Sequence, residues 1–304
     1  MNLPADLKII LRQKVNLADH CTMRVGGEAA YYAEPSNEEE LLELLEYARH
    51  EKLQYVVIGR GSNVLFPDEG YAGLVISMTR FDENHLLVDK EAKTVYASGA
   101  VLLSKLSNAC KDAGLAGAEF LGGIPGTVGG ALIMNAGYSR FPGQRNQIGD
   151  IVLEVSVMNP EGRRFLLSKG ELRFSYRQSN LNGFIILGAK LKLWKRDRET
   201  IEKEMKKNYC YRNRYQDLDH PSCGSVFKNP LRPKPSARGL IEKLGLKGMR
   251  IGDAMVSMKH GNFIINAGNA KSSEIIELIQ KIQKLVFDAT EILLEPEIRI
   301  IQQH

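Results

Sequence analysis

The stretch from Leu121 to Gly137 reads Leu-Gly-Gly-Ile-Pro-Gly-Thr-Val-Gly-Gly-Ala-Leu-Ile-Met-Asn-Ala-Gly, with glycine at 122, 123, 126, 129, 130 and 137. Each glycine inside a helix is disfavoured by about 1 kcal/mol relative to alanine. A chain that accepts this cost repeatedly needs its backbone to come close to something. Pro125 and Thr127 suit the first turn and cap of a helix whose N-terminal amides would point at phosphates. The alternative is tight, glycine-mediated packing of a helix against a strand. A second glycine loop, Gly59-Arg60-Gly61-Ser62-Asn63, follows the apolar run Tyr55-Val56-Val57-Ile58, which reads as a short buried strand. It is not a dinucleotide fingerprint, because Val64 stands where the last glycine would be needed. Its amides could face an anion, or it could be a plain turn. Two such loops suggest a bulky ligand with two phosphates, held between two small α+β lobes.

The rest of the pattern is mixed α+β. Ser36-Asn37-Glu38-Glu39 has the form of a capping box with Ser36 as cap, and Leu41, Leu42, Leu45 and Ala48 recur at helical spacing to about Glu51. Residues 95–99 read as a strand end, and Leu103, Leu106, Cys110 and Ala113 form one helical face. Residues 151–158 and 163–167, joined by Asn159-Pro160-Glu161-Gly162, read as a hairpin. Residues 184–194 read as a strand with Leu187, Ala189, Leu191 and Leu193 alternating. The charged segment 196–214 is helical in composition. A helix over 272–288 presents Ile275, Ile279, Ile282 and Val286, and a closing strand spans 292–301, where Pro296 argues for an edge or a bulge. The expected division is 1–75 and 76–197 as two lobes, then 198–304 as a C-terminal domain.

Composition excludes several classes. With 43% hydrophobic and 25% charged residues the chain is an ordinary globular protein. A net charge of +5, with basic and acidic residues interleaved, does not point to nucleic acid. No apolar run reaches the roughly 18 residues of a membrane span, and the N-terminal apolar stretch, broken by Asp6, Lys8 and Arg12, does not read as a secretory signal. Cys21, Cys110, Cys210 and Cys223 form no Cys-x-x-Cys pair, so neither a disulfide framework nor a metal site is expected, and a reducing cytoplasm is the default.

Eight segments, in order, carry a resemblance over 22–299. They are Thr22-Met23-Arg24-Val25-Gly26-Gly27, Ile58-Gly59-Arg60-Gly61-Ser62-Asn63-Val64-Leu65, Gly122-Gly123-Ile124-Pro125-Gly126-Thr127-Val128-Gly129-Gly130, Asn135-Ala136-Gly137, Ser175-Tyr176-Arg177, Gly224-Ser225-Val226-Phe227-Lys228-Asn229-Pro230, His260-Gly261-Asn262-Phe263-Ile264 and Leu294-Glu295-Pro296-Glu297-Ile298-Arg299. Together they resemble the UDP-N-acetylenolpyruvoylglucosamine reductases, the MurB family of flavoenzymes, in its shorter class. The resemblance implies a two-lobed FAD-binding unit of the vanillyl-alcohol-oxidase (PCMH-like) type and a C-terminal α+β domain for the UDP-sugar. It implies FAD as cofactor, NADPH as co-substrate, and reduction of the enolpyruvyl ether of UDP-N-acetylglucosamine to UDP-N-acetylmuramate for peptidoglycan. A monomer is expected. Three departures are visible: Gln216-Asp217 where many relatives read Gln-Pro, Cys223 where alanine is frequent, and Ile300-Ile301-Gln302 without a frequent glycine.

Residue roles follow from the same resemblance. Ile58, Gly59, Arg60, Gly61, Ser62, Asn63, Val64, Gly122, Gly123, Ile124, Pro125, Gly126, Thr127, Gly129, Gly130 and Asn135 would bind the cofactor. Tyr176, Lys228 and Asn229 would bind the substrate. Hydride from the flavin N5 would reach the terminal carbon of the enol ether, leaving negative charge that spreads into the carboxylate. Arg177 would hold that carboxylate with a permanent charge and a planar fork, Glu295 would help polarise it, and Ser225 would give a proton to carbon. On residue type alone, Arg177 could equally be a surface arginine, Ser225 a turn hydroxyl and Glu295 a solvated strand charge. The other reading of the chain is a different flavoenzyme of the same superfamily, acting on a 2-hydroxy acid or a sugar.

Overall fold

The computed structural model describes residues 10–138, 146–231 and 235–302. Most of the N-terminal stretch used above to argue against a secretory signal lies outside these residues. The chain divides into two compact units. The first takes the chain up to Gln13, Tyr31–Arg60 and Gly73–Tyr211; the second takes Lys14–Ala30, Gly61–Ala72 and the chain from Arg212 onward.

In the first unit, helix α1 (Glu38–His50) is capped one residue later than the Ser36 box implies. Asn37 Oδ1 accepts from the Glu40 amide at 2.9 Å, and the Glu40 carboxylate accepts from the Ser36 amide and hydroxyl at 2.6 and 3.0 Å. The buried stripe is Leu41, Leu44, Leu45 and Ala48, whereas Leu42 is exposed. Leu42 lies about 100° around the helix from Leu41, so it cannot share that face. The stripe packs with Leu74 and Ile76 of a four-stranded sheet ordered 11–16, 28–33, 71–77 and 55–58, of which residues 14–16, 28–30 and 71–72 are counted in the second unit. Its strand Tyr55–Ile58 runs parallel to Tyr71–Ser77 and delivers the chain to Gly59.

A five-stranded antiparallel sheet forms the rest of this unit's frame, ordered 164–168, 152–158, 185–192, 94–98 and 86–89. The expected hairpin is present, with Arg164 opposite Met158. The strand Ile185–Lys192 departs from simple alternation. Ile186 faces Val157 and Gly188 faces Ser156, so Leu187 is an extra residue in a bulge. The bulge changes parity. Leu187 joins the core under α1, while Ala189, Leu191 and Leu193 join the second core, with helix α2 (Leu103–Asp112). Helices α3 (Val128–Ile133), α4 (Ile148–Ile151) and α5 (Arg198–Tyr215) follow, the last where the charged segment predicts it.

The second unit holds a four-stranded antiparallel sheet ordered 222–225, 263–266, 254–256 and 250–251. Helices α6 (Ala237–Lys243) and α7 (Ser272–Thr290) accompany it, and α7 buries Ile275, Leu278, Ile279, Ile282 and Val286. The expected closing strand is reduced to Arg299–Ile300, parallel to Val64–Leu65. Pro296 makes a single bridge to Phe227. Proline has no amide proton to donate to a ladder, which limits pairing there to isolated contacts. Among the described residues no helix is long and apolar enough to cross a membrane.

Candidate active site

The two glycine loops touch. A Cβ on Gly59 would stand 2.6 Å from Thr127 Oγ1, so the first loop backs directly onto the cap of α3. Thr127 caps that helix as expected, accepting from the Gly130 amide at 3.5 Å. The amides that were expected to face an anion are otherwise engaged. Val128 N–H donates to Val101 O and Gly129 N–H to Gly99 O, both at 2.9 Å. A Cβ on Gly129 would meet Gly99 O at 3.2 Å, and one on Gly99 would meet Ile186 O at 2.3 Å. Glycine-mediated packing therefore accounts for Gly99 and Gly129, and the α3 N-terminus is not an open anion site.

Other features, taken one by one, suit a cofactor better. Among the described residues the backbone N–H groups of Arg60, Gly61 and Ser62 have no acceptor. Gly61 has φ +64°, and a Cβ there would lie 2.1 Å from His20 O. Beneath Gly122, the Ser107 hydroxyl is buried without a hydrogen-bond partner among the described residues, and a Cβ on Gly122 would come within 3.0 Å of it. Buried hydroxyls normally find partners. Ser107 had one signal in the sequence: it is a polar residue on the Leu103–Leu106–Cys110 face. A loop of unengaged amides fits a diphosphate-bearing group such as FAD.

Arg177 is built by two motifs that lie forty residues apart. Phe174–Ser175 and Gln178–Ser179 pair across the two-residue turn Tyr176-Arg177. Arg177 has φ +58°, a left-handed conformation that costs a bulky residue about 1–2 kcal/mol. Its guanidinium donates to Gly137 O at 3.2 Å and lies 5.2 Å from the Tyr176 ring centroid. Two further bonds fasten the hairpin. Asn135 Nδ2 donates to Ser175 O at 2.8 Å, and Ser179 Oγ donates to Ile133 O at 2.9 Å. Asn135 is fully buried at φ +42°. Its amide also donates to Gln147 Oε1 at 2.7 Å and accepts from Gly149 N–H at 3.1 Å. Its side chain thus serves the protein itself, and Gln147 is a supporting residue that the motifs did not reveal.

In the second unit, Ser225 ends a strand with a built-in offset. Ser222 faces Ile265 and Ser225 faces Phe263, so one extra residue is accommodated at Cys223-Gly224. Gly224 takes φ +76°, and a Cβ there would meet nothing within 4 Å. Bulges with a left-handed glycine re-aim the side chain that follows. The segment is tied to neighbours on both sides. Thr22 Oγ1 donates to Ser222 O at 2.7 Å, and Cys223 Sγ donates to Val64 O at 3.4 Å. Burial pushes the Cys223 thiol up to about 12, so it is a neutral filler of the core.

Ser225 and Glu295 lie on neighbouring segments. Glu297 N–H donates to Val226 O at 2.7 Å, and Lys228 N–H donates to Glu295 O at 2.8 Å. The side chains meet too, with Lys228 Nζ 2.5 Å from Glu295 Oε1. Asn63 joins the same strip: its Nδ2 donates to Glu297 O at 3.1 Å, and its carbonyl accepts from Arg299 N–H at 3.0 Å. Asn229 Oδ1 accepts from Ala237 N–H at 3.1 Å, at the start of α6. Behind the strip, burial lowers the His260 pKa to about 4, and its Nδ1 accepts from Asn262 N–H at 3.2 Å, so the ring is neutral. Burial alone would raise Asp217, but hydrogen bonds from Ser257 and His220 outweigh it and hold the carboxyl below its usual range.

Comparisons with known proteins identify the family. A family model described as UDP-N-acetylenolpyruvoylglucosamine reductase, C-terminal domain, matches residues 216–301, and one described as an FAD binding domain matches 29–168. The reductase of Halalkalibacterium halodurans is 39% identical over 294 residues, covering 96% of this chain and 94% of that protein. That of Synechococcus sp. (strain RCC307) is 40% identical, covering 98% and 95%. The crystal structure of the Thermus caldophilus enzyme superposes with a TM-score of 0.80 at 36% identity, covering 96% of this chain and 100% of that one. With this identity sustained along nearly its whole length, the chain belongs to the UDP-N-acetylenolpyruvoylglucosamine reductase family.

Proposed function

We propose that this chain uses NADPH to reduce the enolpyruvyl ether of UDP-N-acetylglucosamine to UDP-N-acetylmuramate, acting as a monomer in the cytoplasm. It is an FAD-dependent oxidoreductase of peptidoglycan precursor synthesis. The flavin is assigned to residues 1–75 and 76–197, through Ile58, Gly59, Arg60, Gly61, Ser62, Asn63 and Val64 and through Gly122, Gly123, Ile124, Pro125 and Gly126, with Thr127, Gly129, Gly130 and Asn135 shaping the backbone around them. The UDP-sugar is assigned to 198–304, through Lys228 and Asn229, with Tyr176 added from the hairpin. FAD held by these residues would supply hydride transfer from NADPH to the terminal carbon of the enol ether.

The protein's own side chains do the rest. Negative charge grows on the neighbouring carbon and in the carboxylate beside it, and fixed charge in a dry site is the strongest means of stabilising it. Arg177 binds that carboxylate through its fork, and its turn is fastened by Asn135 and Ser179 so that the fork is preorganised. Glu295 is assigned to the same group, which it would help polarise by donating a hydrogen bond to it. Ser225 gives its hydroxyl proton to the charged carbon, completing the addition of H⁻ and H⁺ across the double bond. General acid catalysis of this kind contributes about 10²–10⁴-fold.

The observation that most supports the serine's role is the Gly224 bulge: it turns Ser225 beside the segment that carries Glu295, with open space at Gly224. Purified protein mixed with NADPH and the enolpyruvyl sugar tests the reading. Equimolar NADPH loss and UDP-N-acetylmuramate formation is the expected result; NADPH loss with the sugar unchanged would refute it.

A further inference from the structure

We propose that Asp217 is a positioning residue for Ser225, acting through a buried polar network that grips the serine segment on both sides. This rests on the assignment of Ser225 as the proton donor. Asp217 is only 6% exposed, yet its carboxylate is fully engaged. Oδ2 accepts from Ser257 Oγ at 2.6 Å, and Oδ1 lies 2.9 Å from His220 Nδ1. The first bond fixes the rotor of Ser257, itself wholly buried, so that its oxygen accepts from the amides of Lys259 and His260 at 3.0 and 3.3 Å. The second ties Asp217 to the segment leading into the serine strand.

The 257–263 turn that Asp217 organises reaches Ser225 directly. Ser257 N–H donates to Phe263 O at 2.9 Å, and Phe263 is the residue opposite Ser225. Beyond the serine, Asn262 takes hold of Phe227 through both ends of its amide. Oδ1 accepts from Phe227 N–H at 3.0 Å and Nδ2 donates to Phe227 O at 2.8 Å, while Val226 N–H donates to Asn262 O at 2.9 Å. Ser225 is therefore held before and after by one turn, and Asp217 locks that turn. The device has a purpose because Gly224, the hinge between the two grips, has no side chain and unobstructed space around it. A proton donor that must sit within hydrogen-bond reach of carbon loses about 10²-fold for a misplacement near 1 Å.

The proposal separates Asp217 from a purely structural role by a double-mutant cycle. In the holoenzyme, Asp217→Asn should slow oxidation of the reduced flavin by the enolpyruvyl sugar by about 10- to 100-fold. It should leave flavin reduction by NADPH and the affinity for the sugar unchanged. On a Ser225→Ala background the same change should add nothing. Equal slowing of both half-reactions, a further loss on the Ser225→Ala background, or no loss at all would overturn it. Should Asp217→Asn fold poorly, His220→Gln removes the outer tie at a half-exposed residue and should show the same selective slowing, more weakly; its absence also overturns the proposal. If Ser225→Ala itself reacts at wild-type speed, the serine assignment fails and this inference falls with it. If Ser225→Ala is slow and Asp217→Asn is not, the inference alone fails.

Discussion

Lys228 and Glu295 are joined twice, once through the backbone, where Lys228 N–H donates to Glu295 O at 2.8 Å, and once through their side chains at 2.5 Å. The backbone bond aligns the two segments, so the ammonium is not needed for the fold. The carboxylate is largely exposed, and a pair of this kind contributes about 0–1 kcal/mol to stability. Lys228→Met is therefore expected to fold normally. It should weaken the UDP-sugar by about tenfold, the loss of one charge-assisted contact. Steady-state kinetics checks this: KM for the sugar rises while flavin reduction by NADPH is unaffected.

His260 predicts a specific acid sensitivity. Its pKa falls from 6.5 to about 4 in the folded protein, so between these values the unfolded chain binds the extra proton. Its contribution is intact above about pH 6.5 and is lost as pH falls toward 4, on the order of 3 kcal/mol. Asp217, whose pKa is lowered, acts in a different window: its contribution is lost only as pH falls below the ordinary carboxylate range. Denaturant titrations at pH 7, 5.5 and 4.5 should show a steeper loss for wild type than for His260→Gln.

Glycines with the same sign of φ should differ sharply in tolerance. A Cβ at Gly61 would lie 2.1 Å from His20 O, a backbone atom that cannot swing aside. Gly61→Ala should not accumulate as folded protein. Gly224, at φ +76°, has open space, so Gly224→Ala carries only the backbone term of about 1–2 kcal/mol. Soluble yield and melting curves distinguish the two.

Asn135 is expected to act on Arg177 from behind. Asn135→Ala removes the donor to Ser175 O and the acceptor for Gly149 N–H, two partly buried bonds. The cost is about 0.5–1.5 kcal/mol for each bond lost. The variant should melt earlier, and its oxidative half-reaction should slow as the Arg177 hairpin loosens. A variant with wild-type melting and wild-type kinetics would remove Asn135 from this role.

Much of this arrangement was legible from residue patterns. The 55–58 strand, the 152–168 hairpin and the long C-terminal helix follow from periodicity alone, because burial of one face dictates it. Offsets of one residue were not legible. The cap moves from Ser36 to Asn37 because either side chain can accept an amide proton, and only the position of Glu40 decides. Leu187 leaves its expected face because a bulge inserts it, and a bulge has no hydrophobic signature.

The glycine stretch shows the same limit at the site. Sequence marks where backbone must come close, but not what it meets: Gly129 meets Gly99, while Gly122 lies over Ser107. Long-range ties such as Asp217 with Ser257 and Asn262 with Phe227 join residues thirty-five to forty apart, beyond any local pattern. The motifs mark the residues assigned to the chemistry; the side chains that hold them, such as Asp217 and Asn262, are joined to their partners across distant segments.

The most direct test of the central claim is stopped-flow absorbance of the two half-reactions of Ser225→Ala. Flavin bleaching by NADPH should proceed at the wild-type rate, and recovery of the oxidised spectrum on adding the enolpyruvyl sugar should be slower by about 10²–10⁴-fold. Recovery at the wild-type rate would contradict the role of Ser225 as the proton donor to carbon.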